Sequence, residues 1–132
     1  MKKMFFILSL FFILSSCEVD QENVSMVTLP VESVEMPAVF ELGETYPIIM
    51  RYHRPSSCHL PYGIYYEKDL NVRICAVNNI VREGNCNQLD EYLVEESFNF
   101  HVTNTGNYIF KFWTGEDVDG NDTFLEFDVP VN

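Results

Sequence analysis

One pair of adjacent residues could form the start of a nucleophilic site. Cys58 is followed directly by His59 in the segment RPSSCHLP, residues 54–61. A catalytic thiolate needs an imidazole within hydrogen-bond reach, a third group that orients the imidazole, and an electropositive, partly exposed setting. The flanking residues show no arrangement typical of such an enzyme, and a disulfide in a loop would also explain Cys58. We therefore predict that the protein is not an enzyme.

Acidic residues near the C-terminus form a second candidate for chemistry, a calcium site. The segment GEDVDGND, residues 115–122, places Asp117, Asp119 and Asp122 around Gly120. Carboxylate oxygens are the hard ligands that Ca²⁺ prefers, but the segment lacks a further ligand at the usual spacing and a closing glutamate. The same residues suit a hairpin turn made by Asp119-Gly120, with the carboxylates in solvent. We favour the turn and keep the three aspartates as weak calcium candidates.

The N-terminal segment contains a third residue with a chemical role of its own. Lys2 and Lys3 precede an almost wholly apolar run, residues 4–14. This order is typical of a secretory leader, and the run is shorter than the roughly 20 apolar residues that a transmembrane helix needs. The run ends in Leu14-Ser15-Ser16-Cys17, which resembles the lipobox of bacterial lipoproteins.

The lipobox resemblance implies a lipid anchor. It implies that residues 1–16 are removed as a signal peptide and that the Cys17 thiol carries a diacylglycerol. Two or more acyl chains hold a protein stably on a membrane. We therefore expect a lipid-anchored protein of the bacterial cell envelope, at the periplasmic or surface face of the outer membrane. Residues 17–26 would be the lipidated cysteine and an acidic tether, and residues 27–132 the folded domain.

Three cysteines remain for a disulfide in this oxidising compartment. Cys58 and Cys86 lie in loop-like segments, whereas Cys75 lies inside an apolar run and would serve as a small buried side chain,. We favour a Cys58–Cys86 bridge, which would close a loop of about 29 residues and stabilise the fold by roughly 3–4 kcal/mol. A Cys75–Cys86 bridge is the alternative, because the connectivity cannot be derived from spacing.

The charge of the chain limits its partners. Its net charge is −12, and loss of Lys2 and Lys3 with the leader leaves 6 basic against 20 acidic residues, or −14. A protein of this charge repels nucleic acid and anionic head groups. We therefore predict no nucleic-acid binding, and expect the acidic surface to keep a soluble domain away from the membrane.

Short alternating segments separated by turn residues predict an all-β fold. No segment has a convincing helical period, although residues 89–96 could hold one helical turn. About seven such strands indicate an antiparallel β-sandwich. The predicted strands cover residues 24–29, 31–36, 45–53, 62–68, 71–81, 97–103, 106–114 and 123–131.

One short motif gives the predicted sandwich a specific type. The segment NTGNY, residues 104–108, resembles the corner before strand F of immunoglobulin-like domains. The resemblance implies that the hydroxyl of Tyr108 bonds to backbone a few residues upstream, and that the sandwich is immunoglobulin-like. Phe110 stands where antibody domains have a cysteine, so their inter-sheet disulfide is not expected. A simple β-turn at Gly106 is the alternative.

The last predicted hairpin contains a candidate binding surface. In this hairpin we expect Tyr108, Phe110 and Phe112 to face the core. Strand alternation then turns Lys111 and Trp113 outward, together with Phe124 on the partner strand. Exposed aromatic patches mark binding surfaces. We therefore expect Lys111, Trp113 and Phe124 to lie at the centre of such a surface, unless residues 83–96 or an N-terminal strand cover it.

Two longer segments, RYHRPSSCHLPYGIYYEK and NYIFKFWTGEDVDGNDTFLEFDVPV, resemble small lipoproteins of Bacteroidota. This resemblance supports the Cys58–Cys86 bridge and implies no catalytic residue. We predict a non-catalytic, lipid-anchored module for binding or assembly, whose partner is an envelope protein or a glycan. A calcium-dependent glycan-binding or adhesin module is the alternative.

Overall fold

The regular structure of the protein consists of β-strands throughout the part of the chain that can be described. The computed structural model describes residues 16–17, 22–89 and 92–132. The predicted signal peptide, except Ser16, and residues 18–21 of the predicted tether lie outside this part. The strands are β1 (Val24–Leu29), β2 (Val31–Glu35), β3 (Thr45–His53), β4 (His59–Asp69), β5 (Val72–Arg82), β6 (Leu93–His101), β7 (Tyr108–Glu116) and β8 (Asp122–Val129).

The strands agree closely with the sequence prediction, and the main differences are the starts of β4 and β6. β1 begins at Val24 as predicted, so strand pairing starts within the residues also assigned to the tether. β4 begins at His59, three residues before its predicted start. Leu93–Glu96 belong to β6, so the helical turn considered there is wrong for these residues. None of the described residues belongs to a helix long and apolar enough to cross a membrane.

Two sheets pack face to face as a sandwich. β2, β3 and β6 form a three-stranded sheet. In the five-stranded sheet, β5 is central and pairs with β4 along one edge. Along its other edge, β5 pairs with β7 over residues 72–75 and with β1 over residues 77–82. β8 pairs with β7. Pro30 separates β1 from β2, because proline has no N–H for the ladder, and there the chain crosses between the sheets,.

One strand pair differs from the antiparallel prediction. β7 runs parallel to β5 over residues 72–75, whereas the other five strand pairs are antiparallel. Parallel neighbours need a long crossover between them. β6 provides it, because after β5 the chain enters the opposite sheet and then returns as β7.

The core lies between the inner faces of the two sheets. In β3, the alternate residues Ile48, Met50 and Tyr52 face it, because side chains alternate along each strand,. Its aromatic centre is Phe40, whose ring lies 5.4 Å from that of Phe100 and 6.0 Å from those of Tyr108 and Phe110. The fully buried apolar side chains include Phe40, Ile48, Met50, Tyr52, Cys75, Val77, Val102, Tyr108, Phe110 and Phe112.

The predicted bonds of the Tyr108 hydroxyl are confirmed. Tyr108 is buried, and its hydroxyl accepts the backbone N–H of Asn104 at 2.9 Å and of Thr103 at 3.3 Å. Gly106 completes the turn with a φ of 92°, a conformation that favours glycine,. The bonds join the turn before β7 to the core.

The predicted disulfide is confirmed. Cys58 and Cys86 are bonded, with their Cα atoms 5.4 Å apart. Cys75 is a free, buried thiol, and burial raises its pKa to about 12. The alternative Cys75–Cys86 bridge is therefore wrong.

Candidate functional site

Trp113 and Phe124 are neighbours on the outer face of the five-stranded sheet. They face each other as Cα partners on β7 and β8. Both side chains are half-buried, although the sequence predicted an exposed patch. The difference arises because neighbouring strands surround them with side chains of their own.

These aromatic rings line a groove of about 380 Å³. Its apolar floor and walls also include Tyr65 of β4 and two β5 residues, Ile74 and Ala76. No described residue of the segment 83–96 lines it, so that segment does not cover the two rings. The polar side chains along the groove are Thr28, Glu67, Asn78 and Asp122. We call this set the outer groove.

Hydrogen bonds hold the side chains of the outer groove in place. The indole N–H of Trp113 donates to the Asp122 carboxylate at 2.8 Å, which fixes the ring against β8. Thr28 donates to the side-chain oxygen of Asn78 at 3.0 Å. The groove is therefore arranged before any ligand arrives.

The acidic side of the groove is also linked to its aromatic wall. The Tyr65 hydroxyl donates to Glu67 at 2.6 Å, and this hydrogen bond raises the pKa of Tyr65. Glu67 and Asp122 thus keep acceptor oxygens at the groove, and each accepts one hydrogen bond from an aromatic side chain.

Lys111 lies on the same face but outside the outer groove. It lies two residues before Trp113 in β7, so its side chain is on the same face of the sheet,. Its ammonium lies 3.4 Å from Glu126 on β8. Its charge is therefore already paired. The structure brings together Trp113 and Phe124 of the predicted surface, and places Lys111 beside them.

Of the three calcium candidates, Asp117 and Asp122 accept hydrogen bonds through their carboxylates, and Asp119 donates its backbone N–H to Asp117. Asp117 accepts the backbone N–H groups of Asn121 and Asp119, each at 2.9 Å, and these bonds lower its pKa. The Asp122 carboxylate accepts a hydrogen bond from the Trp113 indole N–H. Within residues 16–17, 22–89 and 92–132, no three His, Cys, Asp or Glu side chains gather in a way that could hold a metal ion. The favoured turn is what forms here, with Gly120 at a φ of 81°.

The Cys58-His59 pair does not form the arrangement of a thiol nucleophile. The sulfur of Cys58 is bonded to Cys86, and the Nδ1 atom of His59 lies 2.7 Å from the Ser56 hydroxyl. The imidazole thus has a serine as its neighbour within the loop.

Sequence reasoning missed the β4 and β5 residues of the outer groove. The alternation of β5, with Ile74 and Ala76 on one face and Cys75 on the other, indicates which residues share a face,. It contains no signal that β7 lies next to β5, since that contact is parallel and long-range. Comparison of the chain with models of known protein families, with curated proteins and with solved structures finds no match.

Proposed function

We propose that this protein is a non-catalytic binding module of the bacterial cell envelope, anchored by a lipid on Cys17, with an immunoglobulin-like sandwich that binds its partner at the outer groove. The observation that carries the proposal is the uncovered groove that contains Trp113 and Phe124. The corner at Tyr108 supports the immunoglobulin-like type, because its hydroxyl bonds match those of that fold,.

The groove has the size and lining of a binding site. Ligand sites usually measure about 300–1,000 Å³ and combine an apolar lining with a few placed polar groups. Trp and Tyr at the centre of an interface contribute a large share of binding energy. The bond from Trp113 to Asp122 reduces the conformational entropy that the indole would lose on binding,.

The favoured partner is another envelope protein. An apolar side chain of that partner would pack against Trp113 and Phe124, while donor groups would reach Glu67 and Asp122. A cationic partner segment suits this rim, because the protein is strongly acidic,.

A glycan is the second candidate. The polar side chains Thr28, Asn78 and Asp122 surround the aromatic rings, an arrangement that allows sugar rings to stack while their hydroxyls find hydrogen-bond partners,. Since the Asp117 carboxylate accepts two backbone hydrogen bonds and the Asp122 carboxylate accepts the indole N–H, this version assigns neither of them to calcium.

The first test compares wild type with Trp113→Ala in co-purification from detergent-solubilised envelopes. We expect a defined protein to copurify with wild type and to be lost with Trp113→Ala. Tyr62→Ala is the matched control, because Tyr62 is an exposed aromatic residue outside the outer groove. Equal recovery with both variants would contradict the outer groove as the site. A glycan array probed with the same three proteins tests the second candidate.

The lipid anchor has a separate test. Metabolic labelling with an alkyne fatty acid should label wild type and not Cys17→Ala, which should also leave the membrane fraction. A labelled Cys17→Ala protein would contradict the anchor.

A further inference from the structure

A second cleft opens between the two sheets, along the edge strands β4 and β6. Its volume is about 530 Å³. The inner faces of β4 and β5 contribute Ile64, Tyr66, Lys68 and Arg73, and β6 contributes Phe98 and Phe100. We call this the inter-sheet cleft. It combines an aromatic and aliphatic lining with two cationic side chains.

Arg73 is almost completely buried in the cleft wall. Only 3% of the residue is exposed. Its Nη1 donates to the carbonyls of Leu70 at 2.6 Å and Val72 at 2.9 Å, and its guanidinium carbon lies 5.6 Å and 5.2 Å from the ring centres of Phe100 and Tyr108. These contacts hold the guanidinium without neutralising it.

On its remaining edge, the guanidinium of Arg73 has a donor without a hydrogen-bond partner. Tyr66 lies close enough for a side-chain hydrogen bond with Arg73. The Nε atom is buried and has no hydrogen-bond partner. A buried donor without a partner, on a buried charge, is costly unless something else completes it.

Lys68 places a second positive charge beside the first. It is the Cα partner of Arg73 in the β4–β5 ladder, on the same face. Like charges directly opposite each other destabilise a strand pair. Arg51, Arg82 and Lys111 each form an ion pair with a glutamate, whereas neither Arg73 nor Lys68 has a carboxylate partner among the described residues. Two cationic side chains without a carboxylate partner thus lie side by side at this site, in a chain with 20 acidic residues.

We propose that the inter-sheet cleft binds a small organic carboxylate whose apolar body lies against Ile64, Phe98 and Phe100. The planar guanidinium of Arg73 presents parallel N–H donors that match a carboxylate, and Lys68 adds a mobile point charge at the mouth. The apolar walls require more than a bare anion, since an inorganic anion would leave them unfilled.

The cleft faces away from the N-terminal end of the domain. β1 begins opposite Arg82, at the far end of β5 from Arg73. The two arginines are nine positions apart along β5, a distance of about 30 Å,. If Cys17 is anchored as proposed, Arg73 lies at the end of β5 remote from the residue at which the tether joins β1.

The test uses the full-length protein in a zwitterionic detergent and follows the ¹H–¹⁵N resonance of the Arg73 Nε–H group. The probe is 4-phenylbutyrate, and 4-phenylbutanol, which has the same body without the charge, controls for partition into detergent. We expect saturable shifts with the carboxylate only. Equal response to the alcohol, or no response up to about 10 mM, would overturn the proposal. A response to inorganic phosphate that matches the carboxylate would also overturn it, because the apolar walls would then play no part.

Substitutions then identify the charges that matter. Loss of a charged hydrogen bond typically weakens binding about tenfold or more, and we expect this for Arg73→Gln, measured by calorimetry. Lys68→Glu reverses a charge on an exposed residue, so it keeps the test open if Arg73→Gln fails to fold. Arg82→Gln, at the other end of β5, should bind like wild type. Unchanged affinity in Lys68→Glu would contradict the proposal.

The outcome is independent of the outer-groove function. The cleft and the outer groove lie on opposite faces of the five-stranded sheet. A failed carboxylate titration would therefore leave the co-purification result unaffected.

Discussion

The outer groove and the inter-sheet cleft share two strands and differ in charge. Glu67 and Ile74 line the groove, while their chain neighbours Lys68 and Arg73 line the cleft. Successive residues of a strand point to opposite faces. One hairpin, β4–β5, can thus supply an acidic, aromatic surface on one side and a cationic, apolar one on the other.

The two regions also differ in how far their polar groups are already satisfied. In the outer groove, Trp113 is bonded to Asp122 and Tyr65 to Glu67. In the cleft, the Nε atom of Arg73 has no partner. A ligand of the groove must therefore fit side chains that are already hydrogen-bonded to one another. A ligand of the cleft gains binding energy by accepting a hydrogen bond from the Nε–H group of Arg73,. Four experiments separate these regions further.

The largest expected effect comes from the disulfide, at the end of β4 opposite the cleft. Removing it with Cys58→Ala and Cys86→Ala should lower the free energy of unfolding by about 2–5 kcal/mol, because the unfolded chain gains freedom. Chemical denaturation measures the loss. The Arg73 Nε–H resonance should not move, since His59 and Lys68 lie at opposite ends of β4. A large shift would show that the cleft depends on the bridge.

Next is the alkaline sensitivity caused by Cys75, whose side chain faces the core between the two regions. Its pKa is raised by burial from 9.0 to about 12. The unfolded thiol loses its proton first, so this contribution to stability is fully present below about pH 9 and declines as pH rises toward 12. The decline can reach about 1.4 kcal/mol per pH unit.

Urea unfolding of wild type and Cys75→Ala across this pH window measures the effect. The variant should lose the part of the slope that the thiol causes. Identical slopes would mean that the thiol ionises equally in the folded and unfolded states.

A smaller effect should separate the cleft from the groove. Tyr108→Phe removes the acceptor for the N–H groups of Asn104 and Thr103 and should cost about 1 kcal/mol. Since Thr103 lines the cleft and the Tyr108 ring contacts Arg73, the Arg73 resonance should shift. Trp113 is the single tryptophan, and its fluorescence should remain unchanged. A changed emission spectrum would show that the two regions are coupled.

The smallest expected effect is confined to the outer groove. Asp122→Ala frees the Trp113 indole and should shift its emission, while stability changes by about 0.5 kcal/mol or less. Asp128→Ala, another exposed acidic residue of β8, is the control and should leave the emission unchanged. Equal spectra for both variants would show that the bond to Asp122 does not hold the ring.

Local patterns were sufficient to predict the strands and several contacts. The predicted strand over residues 45–53 coincides with β3, and the NTGNY corner predicted the bonds of Tyr108. The loop setting of Cys58 and Cys86 favoured the correct bridge. These features depend on residues close in sequence, or on a residue type with few structural roles.

The sequence by itself determined which residues of each strand face the core, because the pleat turns alternate side chains to opposite faces whatever their neighbours are. Only the tertiary structure decided which strands lie side by side. The parallel β5–β7 contact brings Ile74 toward Trp113, and the β4–β5 register sets Lys68 opposite Arg73. Such pairings join distant segments and depend on how the whole chain buries its apolar surface, so no local pattern encodes them.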